Sequence, residues 1–118
     1  MARILLAEDD DSMRTFLANA LERSGHEVTA VPDGLAAISA IRERGYDLLI
    51  ADIVMPGMDG IEVSRQANRV NADLRVLFIT GFAAVAMSAR EEVGDSKVLS
   101  KPFHLRDLVD NVDRILAA

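Results

Sequence analysis

The chain has 118 residues, 50% of them hydrophobic and 27% charged, which is typical of one globular domain and excludes a disordered chain. The absence of cysteine excludes disulfides, thiolate metal sites and a cysteine nucleophile, and it suits a reducing, cytoplasmic environment. A net charge of −6 argues against nucleic-acid binding, and no apolar segment resembles a secretion signal or is long enough for membrane insertion.

The first apolar run, RILLA at Arg3–Ala7, predicts a buried strand, and four acids follow it directly at positions 8–11. Residues 10–24 then predict an amphipathic helix that ends at Gly25. Its apolar face consists of Met13, Phe16, Leu17, Ala20 and Leu21. Asp10 and Asp11 are interpreted as the cap and first turn of this helix, which they stabilise by roughly 0.3 to 1 kcal/mol each.

Four more apolar runs predict strands at EVTAV (27–31), DLLIA (47–51), RVLFIT (75–80) and KVLS (97–100). Helices are predicted at residues 34–44, 58–70 and 82–93, and a last helix carries an apolar stripe at Leu105, Leu108, Val109, Val112, Ile115 and Leu116. The Ala-rich helix at 82–93 has the thinnest apolar face, so we expect it to be loosely held. Alternating strands and helices with solid apolar strands predict a doubly wound α/β domain, whose five-stranded parallel sheet is covered on both faces.

Polar residues stand where these strands end. They are Glu8, Asp9, Asp52, Thr80 and Lys101. In open parallel sheets the ligands bind beyond the carboxyl ends of the strands. Grouped carboxylates repel one another unless a cation is present, and Mg²⁺ is typically held by one or two carboxylates and a phosphate oxygen. A carboxylate beside such a cation can attack a phosphoryl group, with Thr80 and Lys101 as suitable donors to its oxygens.

Four segments resemble the receiver domain of two-component response regulators: AEDD at 7–10, LLIADIVMPGMDG at 48–60, LFITG at 77–81 and LSKPF at 99–103. The resemblance covers the whole chain, with the motifs in order. It implies a flavodoxin-like or CheY-like fold with strand order 2-1-3-4-5. It also leads us to expect one receiver domain over residues 1–118 with no output domain.

The resemblance implies that Asp52 accepts a phosphoryl group from a phosphohistidine, carried by a histidine kinase or a histidine phosphotransfer protein. It implies that Asp9 and Asp52 ligate Mg²⁺ directly, that Glu8 helps mainly through water, and that Val54 contributes its backbone carbonyl. Thr80 and Lys101 would hold the phosphoryl oxygens. The peptide bond between Lys101 and Pro102 is expected to be cis.

Three residues bear on switching and on the lifetime of the phosphoryl group. Receivers usually carry an aromatic residue three positions before the lysine, where it moves together with the threonine, but this chain has Val98. Valine cannot sweep the same volume, so we expect the helix at 82–93 to switch by becoming ordered. Val54 and Phe82 flank the path of an attacking water and cannot hydrogen-bond to it, so self-dephosphorylation should be slow.

Each site residue also has a structural interpretation on its own: a helix cap for Asp52, a turn cap for Thr80 and a solvated cation for Lys101. Their joint placement favours the functional interpretation. His26 and His104 lack neighbouring groups for catalysis and are interpreted as structural or solvated. Two functional alternatives stay open: a phosphohydrolase with an aspartyl nucleophile, which would need a second acid at Val54, and an interaction module that works without phosphorylation.

The output is expected to be switched protein binding. The sequence is most similar to CpdR-type stand-alone receivers, and this resemblance implies an adaptor in cell-cycle control that delivers substrates to a ClpXP-type AAA+ protease. Receivers of chemotaxis motors and of phosphorelays are the competing subtypes.

Overall fold

Strands and helices alternate along the whole chain in the computed structural model, which describes residues 1–118. The strands are β1 (Arg3–Ala7), β2 (Glu27–Val31), β3 (Leu48–Asp52), β4 (Arg75–Thr80) and β5 (Val98–Ser100). The helices are α1 (Asp11–Arg23), α2 (Gly34–Glu43), α3 (Gly60–Val70), α4 (Ala83–Val93) and α5 (Leu105–Ala117), and a short 3-10 helix at Asp95–Lys97 precedes β5. All ten predicted elements are present. β3 lies one residue later than predicted, so Asp52 is the last residue of the strand.

The five strands form one parallel sheet in the order β2-β1-β3-β4-β5, which confirms the predicted fold class and strand order. The chain adds β2 next to β1 on one side of the sheet, and then adds β3, β4 and β5 in turn on the other side of β1. The reversal of strand order therefore lies between β1 and β3. Ligands of such sheets bind beyond the carboxyl ends of the strands at this point, where Glu8 and Asp52 are found.

Two apolar cores cover the two faces of the sheet, because successive strand residues point to opposite sides. On one face, Leu5, Leu49, Phe78 and Val98 pack with residues of α2, α3 and α4. On the other, Ile4, Leu6, Ile50 and Leu77 pack with residues of α1 and α5. Both faces of the strands are thus buried, which explains their solid apolar sequences. None of the helices is long and apolar enough to cross a membrane.

The apolar face of α1 is narrower than predicted. Leu17, Ala20 and Leu21 are buried, but Phe16 is 53% exposed, so its assignment to the buried face was wrong. Phe16 lies about 100° around the helix from Leu17, and this rotation carries its ring to the edge of the contact with the sheet. Helix α4 buries only Ala86 and Ala89, as its thin apolar face predicted.

Three of the five helices, α1, α2 and α3, have an aspartate cap at their first turn. Asp10 accepts a hydrogen bond from the backbone N–H of Met13 at 2.8 Å, which confirms its interpretation as the cap of α1. Asp59 caps α3 in the same way. The next residue, Gly60, lies so close to the end of β3 that a Cβ there would collide with the carbonyl oxygen of Asp52. Glycine at this position therefore lets α3 begin directly beside Asp52.

Candidate functional site

Three carboxylates meet at the carboxyl ends of β1 and β3. Glu8 and Asp9 directly follow β1, and Asp52 ends β3, whose residue Ala51 pairs with Ala7 of β1. Oxygen atoms of the three side chains lie within 4.8 Å of one another. Glu8 is fully buried and Asp52 is only 6% exposed, whereas Asp9 is exposed to solvent. The group is therefore a buried acidic pair with a third acid at its mouth.

Lys101 joins the two buried acids. Its Nζ donates hydrogen bonds to Oε1 of Glu8 at 2.7 Å and to Oδ2 of Asp52 at 2.8 Å. The backbone N–H of Lys101 donates to the carbonyl of Thr80 at 2.7 Å, which extends the β4–β5 pairing by one residue. The peptide bond between Lys101 and Pro102 is cis, as the receiver resemblance implied. One ammonium thus neutralises part of the charge of two carboxylates.

The second oxygen of each buried acid accepts from the backbone. Oδ1 of Asp52 accepts from the N–H of Val54 at 3.2 Å, and Oε2 of Glu8 accepts from the N–H of Asp10 at 3.2 Å. Asp9 makes no side-chain hydrogen bond or ion pair within the protein, so its carboxylate is free to bind a ligand from solvent. Every carboxylate oxygen of the two buried acids therefore has a partner within the protein, whereas the carboxylate of Asp9 is open to solvent.

Burial and charge shift two titrations at the site. Burial raises the pKa of Glu8 from 4.5 to about 7, with the nearby charge of Asp52 acting in the same direction and the bonds from Lys101 and Asp10 opposing it. Burial alone would lower the pKa of Lys101, but its bonds to Asp52 and Glu8 outweigh this effect and raise it. Lys101 therefore stays charged at neutral pH, whereas the carboxylate of Glu8 takes up a proton as the pH falls through about 7.

Thr80 ends β4 and is completely buried. Its Oγ1 accepts a hydrogen bond from the backbone N–H of Phe82 at 3.2 Å. A hydroxyl has one proton to donate besides its lone pairs, so Thr80 can donate to a second partner at the same time. Phe82 and Val54 follow the ends of β4 and β3 and are 59% and 43% exposed, which places two apolar side chains at the surface beside the site.

Three polar contacts near the site were not predicted from the sequence. Nη1 of Arg14 donates to the carbonyl of Glu8 at 3.0 Å, and Nη2 of Arg90 donates to Oγ of Ser100 at 2.9 Å. The bridging of Glu8 by Lys101 is the third. Only the i, i+3 spacing of Asp11 and Arg14, whose side chains pair at 2.6 Å, gave a signal in the sequence.

The two histidines lie outside the acidic group. Nδ1 of His26 accepts from the backbone N–H of Ala2 at 3.2 Å, and its Nε2 lies 3.9 Å from Asp113. His104 precedes α5 without a side-chain capping bond. Val98, at the position where receivers usually have an aromatic residue, is buried in the core on the α2–α4 side of the sheet.

The donor set fits Mg²⁺. Hard divalent cations prefer oxygen ligands, and the oxygens of Glu8, Asp9 and Asp52 are close enough together to surround one ion. The free carboxylate of Asp9 gives a ligand at the solvent side, where an ion would enter. No nitrogen or sulfur ligand that would favour zinc belongs to the group.

Comparison with known proteins gives the family that the sequence motifs resemble. The family model for the response regulator receiver domain matches residues 4–113. The chain is 53% identical over 119 residues to the response regulator receiver protein CpdR of Brucella abortus, covering 100% of this chain and 99% of that protein. Receiver domains are the phosphoryl-accepting modules of two-component systems and use Mg²⁺ at an acidic pocket of this kind.

Solved structures of receivers superpose closely. The receiver domain of the hybrid histidine kinase CckA is 34% identical, with a TM-score of 0.80 over 97% of this chain and 98% of that one. The response regulator TrrA of Thermotoga maritima, solved in complex with Mg²⁺ and beryllofluoride, is 26% identical, with a TM-score of 0.84 over 98% of this chain and 99% of that one. On sequence and structure together, the chain belongs to the response regulator receiver family.

Proposed function

We propose that Asp52 accepts a phosphoryl group from the phosphohistidine of a histidine kinase or a histidine phosphotransfer protein. The observation that carries the proposal is the position of Lys101, whose ammonium contacts both Asp52 and Glu8 beside the free carboxylate of Asp9. This arrangement offers a nucleophile, a cation and a metal-binding acid within one small volume. Residues 1–118 act as a single receiver domain in this proposal.

In the transfer step, a carboxylate oxygen of Asp52 attacks the phosphorus in line with the leaving imidazole. The P–N bond breaks, its electron pair stays on the imidazole nitrogen, which takes up a proton, and a P–O bond forms on Asp52. Lys101 then donates to a phosphoryl oxygen, and the hydroxyl of Thr80 donates to another. Asp9, Asp52 and the carbonyl of Val54 would hold Mg²⁺, with Glu8 acting through water, and the ion would offset the negative charge that accumulates here.

The lifetime of the phosphoryl group follows from the two exposed side chains beside the site. Val54 and Phe82 have no hydrogen-bonding group with which to orient a water for attack on the phosphorus. Self-dephosphorylation is therefore slow, and the signal is reset by reverse transfer or by other proteins. The same valine stands where an aspartyl phosphohydrolase would need its general acid, which disfavours that alternative.

The output is a protein contact that depends on the state of Asp52, because phosphorylation shifts the population between two surface shapes. The resemblance to CpdR-type receivers supports a specific form of this output: an adaptor for substrate delivery to a ClpXP-type AAA+ protease. A pull-down with the wild type, Asp52→Asn and the beryllofluoride-treated protein tests this form. Equal recovery of the protease by all three would contradict phosphorylation-dependent output and favour a module that works without phosphorylation.

The transfer itself is tested with a small phosphoramidate donor, such as phosphoimidazole, and intact-mass measurement. The wild type should gain one phosphoryl group when Mg²⁺ is present and lose this ability in EDTA. Asp52→Asn should gain none. Asp10→Asn is the matched control, since Asp10 lies two residues from Glu8 but caps α1 and should leave labelling intact. Labelling of Asp52→Asn at the wild-type rate would refute the proposal.

A further inference from the structure

Helix α4 has a thin apolar face and polar contacts near both of its ends. It buries only Ala86 and Ala89, and the side chain of Phe82, the residue before its first turn, makes no capping hydrogen bond. At its start, the N–H of Phe82 donates to Oγ1 of Thr80 at 3.2 Å. In its last turns, Nη2 of Arg90 donates to Oγ of Ser100 at 2.9 Å. Both of these contacts are made with side chains at the ends of strands, the two anchors of α4, and a third polar contact, between Glu92 and Arg65, joins α4 to α3.

The two anchors are neighbours in the sheet. Thr80 pairs with Ser100 across β4 and β5, and two residues earlier Phe78 pairs with Val98. Phe78 and Val98 both lie in the core on the α2–α4 side. Because strand residues two apart point to the same face, the side chains of Thr80 and Ser100 stand side by side beneath α4. Ser100 is also bonded directly to Lys101, whose ammonium contacts Asp52.

Val98 cannot carry a signal in the way that a mobile ring would. It is buried, its side chain is short, and it packs in the same core as Phe78 and Ala89. A connection from Asp52 to α4 runs instead through Lys101, its chain neighbour Ser100 and the hydrogen bond that Arg90 donates to Ser100. This connection ends in the last turns of the helix, which Thr80 does not reach.

We propose that the hydrogen bond between Arg90 and Ser100 transmits the state of Asp52 to the last turns of α4. The inference rests on the proposed function of Asp52. A phosphoryl group there accepts hydrogen bonds from the Lys101 ammonium and from the Thr80 hydroxyl, which fixes the ends of β4 and β5. Thr80 still accepts from Phe82, and a hydroxyl that donates is also a stronger acceptor. With both anchors fixed, α4 becomes ordered along its whole length.

Hydrogen exchange of residues 83–93, with and without Mg²⁺ and beryllofluoride, tests the link. In the wild type, beryllofluoride should slow exchange across the helix, by roughly fivefold in residues 88–93, because the bond between Arg90 and Ser100, which is already formed without a phosphoryl group, opens less often. In Ser100→Ala and in Arg90→Ala, the slowing should be confined to the first turn. Fluorine NMR of bound beryllofluoride reports occupation of the site independently in every variant, and thermal unfolding reports folding.

Arg65→Ala is the matched control. Arg65 pairs with Glu92 at 3.0 Å and so ties the same end of α4 to α3 instead of β5. This variant should keep the beryllofluoride-dependent slowing in residues 88–93. The inference is overturned if Ser100→Ala binds beryllofluoride and still shows the full slowing, or if Arg65→Ala loses it equally. Failure of the wild type to bind beryllofluoride would refute the proposed function itself, which separates the two outcomes.

Discussion

The ammonium of Lys101 lies 2.8 Å from a carboxylate oxygen of Asp52 and 2.7 Å from one of Glu8, so the carboxylate that we propose as the nucleophile is ion-paired without a phosphoryl group. Removing this cation leaves two buried carboxylates facing each other. The repulsion is greatest when both carboxylates are ionised. Burial raises the pKa of Glu8 to about 7, so a proton on Glu8 relieves the repulsion at lower pH.

Lys101→Met should therefore lower the free energy of unfolding by about 1 to 3 kcal/mol near pH 8 and by less near pH 6. It should also abolish most of the phosphoryl transfer to Asp52. Urea denaturation at the two pH values measures the first effect and intact-mass labelling the second. Lys97→Met is the matched control, since Lys97 is exposed and makes no ion pair; equal destabilisation by both variants would contradict the structural basis of this prediction.

The pH dependence of stability in EDTA has a defined sign. Folding raises the pKa of Glu8 from 4.5 to about 7, so the folded state holds this proton more tightly than the unfolded chain does. The stabilisation of the fold by this bound proton is fully present below about pH 4.5 and is lost as the pH rises through about 7. Chemical denaturation across this range should show the decline for the wild type. Glu8→Gln, which cannot ionise, should flatten it, and an unchanged slope would exclude Glu8 as its source.

Mg²⁺ binding should have the opposite pH dependence and strengthen as the pH rises, because a carboxylate must lose its proton to act as a ligand or to hold a ligand water. Below about pH 7, the affinity for Mg²⁺ should fall by up to about tenfold per pH unit. Isothermal titration with MgCl₂ at several pH values checks this slope. Asp10→Asn, which alters the neighbouring cap of α1, should keep the slope, whereas Glu8→Gln should reduce it.

Gly60→Ala should destabilise the fold by about 1 to 3 kcal/mol, because the new Cβ collides with the backbone at Asp52 and cannot be relieved by a side-chain rotation. The shift of β3 should also slow phosphoryl transfer. Gly45→Ala is the control: nothing lies within 4 Å of its Cβ position, so thermal unfolding should show little change or a slight stabilisation. Wild-type stability and transfer in Gly60→Ala would show that α3 can move without affecting Asp52.

Val54→Asn should shorten the lifetime of phosphorylated Asp52 by roughly tenfold or more, since an amide at this place can orient an attacking water. The decay of the phosphoryl label after removal of the donor measures this. Val70→Asn is the control, because Val70 is similarly exposed, at 50%, but lies at the far end of α3. Equal decay in the wild type and Val54→Asn would mean that apolar flanking residues do not set the lifetime.

The elements and the fold class could be predicted because they depend on local patterns: solid apolar runs for strands and helical spacing for helices. The contacts that hold the site together could not be predicted in this way. Arg90 and Ser100 belong to different elements, and nothing in the local sequence of either residue indicates the other. Phe16 shows the same limit, since helical spacing gives the direction of a side chain but not the width of the surface that covers it.

The bond between Lys101 and Glu8 joins side chains that are 93 residues apart in the chain. During synthesis, the acids of β1 and β3 emerge long before their counter-charge, and the pocket carries unopposed negative charge until β5 has paired with β4. Contacts of such long sequence separation form late, because a large loop must close first. A nascent or truncated chain that lacks this last strand would have Asp52 but not the cation beside it. Under the proposed function, a chain therefore gains the cation beside Asp52 only after translation has passed Lys101 and β5 has paired with β4.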